Sequence, residues 1–172
     1  MLGEPVWETA LPGAVDVIDR ALQAASVRVL PDSKLDATVS VALMSDAEVR
    51  RLNRDYRAQD KPTNVLSFPA LETDALAAVK SGRLPAGMPR GAEVELGDIV
   101  LALETVTAEA SAQGKTVADH VRHLLTHGFL HLLGYDHDHE AAAELMEAAE
   151  VDILATLGVA DPYRGQEETI KR

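Results

Sequence analysis

Thr116–His139 reads TVADHVRHLLTHGFLHLLGYDHDH. Wound at about 100° per residue, Val117, Val121, Leu124, Gly128 and Leu132 gather on one arc, and His120, His123, His127 and His131 span a neighbouring arc of about 80°. The stretch therefore predicts a long helix over Thr116–Leu133 with its apolar side in the core, stopped by Gly134. His127 and His131 fall at the seam between core and surface, one turn and roughly 6 Å apart along the axis. Two imidazoles so placed grip one metal ion from the same side. Gly134 permits a left-handed exit, Tyr135 and Asp136 carry the chain round, and His137 supplies a third nitrogen. Three histidines leave a fourth position open for water or substrate, the arrangement of a catalytic rather than a structural metal. His120 and His139 read as surface residues, and His123 as a surface residue or a support behind the ligands.

The spacing H-x3-H-x5-H, with a glycine three residues after the second histidine, also fits a zincin-like metal helix of the metzincin type. That pattern places a general-base Glu where this chain has Gly128, and glycine cannot take a proton. A zinc metallopeptidase is thus an alternative that lacks its base.

Outward from this helix, Pro12–Leu30 reads as a helix with Val15, Ile18, Leu22 and Ala25 as its stripe, closed by Pro31. Thr38–Met44 is β-rich. Ser45 and Glu48 form a capping box for a helix to about Tyr56. Asn64–Phe68 is a short strand. Leu71–Ala92, with three glycines and two prolines, reads as a surface loop holding at most a short helical turn. Val94–Leu103 carries a strand interrupted at Gly97-Asp98, where a glycine marks a bulge or a close backbone approach. Helices over Glu104–Gln113 and His139–Leu157 complete the pattern, and the polar tail after Tyr163 is expected to fray. The irregular alternation predicts one α+β domain over residues 1–172 with a small mixed sheet.

With 47% hydrophobic residues the chain has enough apolar side chain for a sizeable core, and with no cysteine it has neither disulfides nor thiolate ligands. No basic and apolar leader pattern opens it, and no apolar run approaches the ~20 residues of a membrane span, so a cytoplasmic protein without a membrane partner is expected. The net charge of −12 opposes a phosphate backbone as partner. Its distribution is uneven: Arg50–Lys61 holds five basic residues against two acids, whereas Asp138–Asp152 holds six acids and no Lys or Arg. The basic stretch is a candidate anion-binding surface.

HGFLHLLGYDH resembles the signature of the YbeY family, bacterial endoribonucleases of rRNA maturation and ribosome quality control. LNRDYRAQDKPTNVLSFP (Leu52–Pro69), LGDIV (Leu96–Val100), LMEAAEVDIL (Leu145–Leu154) and the terminal ADPY resemble further motifs of that family, in the same order. The resemblance implies an α+β fold with a four-stranded sheet, and one zinc ion or another divalent transition metal on His127, His131 and His137. It implies single-stranded RNA as substrate rather than DNA, a role in 16S rRNA 3′ end maturation, and the small ribosomal subunit or its proteins as partners. It also points to Arg57, at the YR position of the second motif, as the functional arginine; a guanidinium matches two phosphate oxygens. Asp98 is a candidate to orient a ligand histidine through its second nitrogen. Asp136 is a candidate for a similar supporting role or for the base, and equally a turn former. A third reading is non-catalytic, a metal-stabilised ribosome-associated factor that binds RNA through the Arg57 helix.

Overall fold

The computed structural model of the chain describes residues 2–3, 5–30 and 34–164. Its elements run β1 (Leu2–Gly3), α1 (Pro5–Ala10), α2 (Ala14–Val29), β2 (Ala37–Met44), α3 (Asp46–Arg57), β3 (Val65–Pro69), α4 (Thr73–Lys80), β4 (Val94–Ala102), α5 (Leu103–Ala112), α6 (Val117–Leu132) and α7 (Glu140–Thr156). The sheet order is β1-β2-β4-β3. β1 and β2, and β2 and β4, pair in parallel, and β3 runs antiparallel to β4. The mixed sheet thus has four strands, three of them full and one a two-residue edge. Pro31 and the tail beyond Arg164 lie outside the described residues.

Strand period sorts the side chains into two layers. Val41 and Leu43 of β2, with Ile99 and Leu101 of β4, join the main core with α2, α6 and α7. Val100, Ala102 and Leu66 turn the other way and pack with Val49 of α3 in a smaller cluster. β4 is covered on both faces, which is why its sequence is apolar almost throughout. α6 lies at the centre, packed on β3, β4, α2, α5 and α7, so its histidine edge is held by most of the domain.

Four expectations are corrected. β4 is not interrupted at Gly97-Asp98; it continues through a one-residue register shift opposite Thr38/Val39. The glycine serves a close approach: a Cβ at Gly97 would meet the Phe68 carbonyl oxygen at 2.2 Å, at a φ of +137°. α2 starts at Ala14, and its buried face is Ala14, Val17, Ile18, Ala21 and Ala25; Ile18 and Ala25 of the predicted stripe are buried and Leu22 packs on the core, but Val15 is exposed and Ala14 and Val17 take its place. Within Leu71–Ala92 the chain forms α4, eight residues that bury Val79 and rest Leu76 against Gly134. His120, expected at the surface, is only 2% exposed, because α5 and α7 cover that side of α6 as well.

Gly97→Ala combines a forbidden backbone conformation with a collision against a carbonyl. The expected loss is about 3 kcal/mol or more. Urea denaturation checks it; a midpoint equal to that of the parent protein would show that the β3–β4 approach relaxes freely.

Candidate functional site

α6 places His127 and His131 one turn apart, and Gly134, at φ +74°, reverses the chain so that His137 returns to them. The ligand-capable nitrogens of the three lie within 4.8 Å of one another. His127 Nε2 and His131 Nε2 are 3.1 Å apart. Their other nitrogens are engaged: His127 Nδ1 donates to Glu150 Oε1 at 2.8 Å, and His131 Nδ1 donates to the Tyr135 carbonyl at 3.0 Å. Both acceptors lack hydrogens, so in the neutral rings both Nε2 atoms present lone pairs to each other. Burial, reinforced by the neighbouring His127 and His137, keeps the His131 pKa below the ordinary histidine range and disfavours relief by a proton. A cation accepted by both lone pairs resolves the conflict. Nitrogens bound at about 2.05 Å in a tetrahedron sit ~3.3 Å apart, close to the spacing found. The donor set fits a transition metal.

Glu150 is the residue that the sequence reading missed. It is fully buried on α7 and accepts hydrogen bonds from His123 Nε2 at 3.0 Å, from His127 Nδ1 and from the Tyr163 hydroxyl. Burial pushes its carboxyl up, but the three donors outweigh that and hold the pKa at about 2. The signal was present: Met146, Glu150, Ile153 and Leu157 follow helical spacing, and an acid on an apolar stripe needs partners. His123 thus stands behind His127, with Glu150 between them. His139 is exposed and caps α7 through Nδ1.

An open cleft of ≈500 Å³ lies beside the histidines, lined also by Arg57, Asn64, Ser67 and Asp136. Arg57 is the last residue of α3, exposed, and its Nη2 reaches the Ser67 carbonyl only at 3.4 Å. Asp136 accepts the backbone N–H of His137 at 2.7 Å, which shapes the turn and lowers its pKa. Asp98 is not brought to the histidines; it is exposed beside Met44, Tyr56 and Phe68, and the second nitrogens of His127 and His131 are held by Glu150 and Tyr135. In the basic stretch the two acids pair with two of the five cations, Asp60 with Arg50 at 2.7 Å and Asp55 with Arg54 at 2.9 Å.

Gly128 explains the missing metzincin glutamate. A Cβ there would stand 3.0 Å from Ser67 Oγ and 3.2 Å from Ile99. The position faces the sheet and has no room for a Glu, so the peptidase base cannot be built at this turn.

The profile of the endoribonuclease YbeY family matches residues 11–158. The chain belongs to the YbeY endoribonuclease family. It is 50% identical over 160 residues to Endoribonuclease YbeY of Bradyrhizobium sp. (strain BTAi1), covering 91% of this chain and 86% of that protein. It is 48% identical to the YbeY of Paramagnetospirillum magneticum, covering 94% and 92%. The solution structure of TM1509 from Thermotoga maritima shares the fold, with a TM-score of 0.54 and 24% identity over 94% of this chain and 95% of that one. Among the described residues no helix is long and apolar enough to cross a membrane.

Proposed function

We propose that this YbeY-family protein is a metal-dependent endoribonuclease that cuts single-stranded RNA, in 16S rRNA 3′ end maturation and ribosome quality control, working in the cytoplasm on or beside the small ribosomal subunit. One observation carries the reading: His127, His131 and His137 converge in the same open cleft as Arg57. His127, His131 and His137 hold one ion, zinc by the preference of three imidazoles with an open fourth position. When bound, that ion supplies Lewis acidity to a phosphate oxygen or a water.

The chain's own groups do the rest. Glu150 and the Tyr135 carbonyl fix the tautomers of His127 and His131, keeping both Nε2 lone pairs on the cleft. Arg57, without a strong protein partner, grips the phosphate and stabilises the charge that grows on it during cleavage. The body of the protein repels RNA, with a net charge of −12. With two of its arginines already paired to acids, α3 makes few phosphate contacts, and the ribosomal subunit presents the strand.

The test is cleavage of single-stranded RNA, duplex RNA and casein by purified protein, with and without chelator. Chelator-sensitive cutting of single-stranded RNA alone is expected. Cut casein with intact RNA would return the peptidase reading, and no cutting by metal-loaded protein would leave a binding factor. Arg57→Glu should lower RNA cleavage by roughly 10²-fold or more while metal content and Tm stay put, and Arg57→Lys should be impaired because it lacks the planar fork. Full cleavage by Arg57→Glu removes Arg57 from the site.

A further inference from the structure

The cleft wall opposite α6 contains a polar side chain that the reading above leaves unused. Asn64 immediately precedes β3 and lines the cleft with Arg57, His127 and His131. Its Oδ1 accepts the Val65 backbone N–H at 2.7 Å. Its Nδ2 donates to Glu109 Oε2 at 2.9 Å. The same Glu109 oxygen accepts His120 Nε2 at 2.7 Å. The amide cannot be turned over: a flip would set Oδ1 against a carboxylate oxygen and Nδ2 against a backbone N–H. One of its two N–H groups is therefore committed to Glu109, and the other has no partner among the described residues.

His120 makes the arrangement rigid. It is 2% exposed, and its Nδ1 is buried without a partner. With Nε2–H given to Glu109, a neutral ring leaves only a lone pair unmatched; a second proton would bury an unmatched donor and a charge. Burial accordingly holds its pKa below the ordinary range, against the pull of Glu109. So α5 and α6 together aim a single amide on the cleft wall, at the cost of one orphaned buried nitrogen. That cost is not needed to close the core, since an apolar residue at position 120 would fill the same space without it.

We propose that Asn64 is a substrate-contacting hydrogen-bond donor to a non-bridging phosphate oxygen of the RNA strand, and that Glu109 and His120 are the positioning residues that hold its amide in place. The assignment rests on the endoribonuclease reading of the cleft. A neutral donor fits the chemistry: Arg57 supplies charge, whereas a fixed amide adds direction and makes no new demand on the acidic surface.

The experiment compares cleavage of a short labelled single-stranded RNA by Asn64→Ala, Asn64→Asp, Glu109→Ala and Glu109→Gln, with metal content and Tm measured on each. Asn64→Ala should lower kcat/KM by roughly 10²-fold, through weaker strand binding as well as a lower kcat, at unchanged metal content. Asn64→Asp, which sets a carboxylate beside Glu109, should be worse. Glu109→Ala should follow Asn64→Ala, and Glu109→Gln, whose amide oxygen can accept from both Asn64 and His120, should restore most of the activity. Wild-type kcat/KM in Asn64→Ala, or losses that only track lost metal or Tm, would overturn the proposal. If the unmodified protein cuts no RNA, the endoribonuclease reading fails first. Affinity for a 2′-O-methyl strand then decides this inference, and equal binding by Asn64→Ala overturns it.

Discussion

His131→Ala is expected to strip the metal from the protein and with it the RNA cleavage. His131 is the middle donor: its Nε2 faces His127 Nε2 at 3.1 Å, and its ring lies 5.1 Å from that of His137. Structural zinc sites bind with about 10–16 kcal/mol over four ligands, on the order of 3 kcal/mol each, so losing one costs a factor of ~10² or more in affinity. The fold should survive, because His131 is part-exposed and the core side of α6 is made by Leu124, Leu125, Leu130 and Leu132. Elemental analysis after gel filtration and a chelator competition measure the loss. One ion per chain in His131→Ala would end the three-histidine assignment, whatever the variant did to RNA.

Glu150 should show the second large effect, and its two substitutions separate two roles. Glu150→Leu leaves His123 Nε2–H, His127 Nδ1–H and the Tyr163 hydroxyl without an acceptor in a buried place. At about 1–3 kcal/mol per orphaned donor, this takes a large share of a stability of ~5–15 kcal/mol. Glu150→Gln is gentler on the fold but harder on the site. Its single oxygen cannot serve both His123 and His127 from the two sides they use, and an NH2 facing His127 Nδ1 drives the proton to Nε2. That removes the lone pair the metal requires, so affinity should drop by roughly 10–100-fold. Urea denaturation of the metal-free protein and metal titration read the two quantities apart. If Glu150→Gln binds metal as the parent does, Glu150 supports the fold only and does not orient His127.

The histidine triad was legible before any fold was known, because helical period and a left-handed glycine are local: His127, His131, Gly134 and His137 lie within a single turn-and-return of chain. The capping box at Ser45 and Glu48 was legible for the same reason, and the Ser45 N–H does donate to the Glu48 carboxylate at 3.0 Å. Arg57 was reached through family resemblance, since nothing local distinguishes it from Arg54. What stayed hidden depends on which side of a helix other elements cover. His120 looked like a solvated edge of α6 until α5 brought Glu109 to it, and Asp98 looked like a partner for a histidine until β4 placed it beside Tyr56 and Phe68. Gly128 read as an absent base, and only the 3.0–3.2 Å approach of Ser67 and Ile99 shows it as a packing requirement. Glu150 stands in an acidic run that reads as a wet surface, yet docking of α7 on α6 buries it and hands it three donors. Sequence by itself determined which atoms can bind a metal, because that needs only the spacing along one helix and one turn. The tertiary structure alone decided which groups orient those atoms, because hydrogen bonds between α6, α7 and the Tyr163 segment join residues up to 27 positions apart, as from His123 to Glu150, and no local pattern encodes such a meeting.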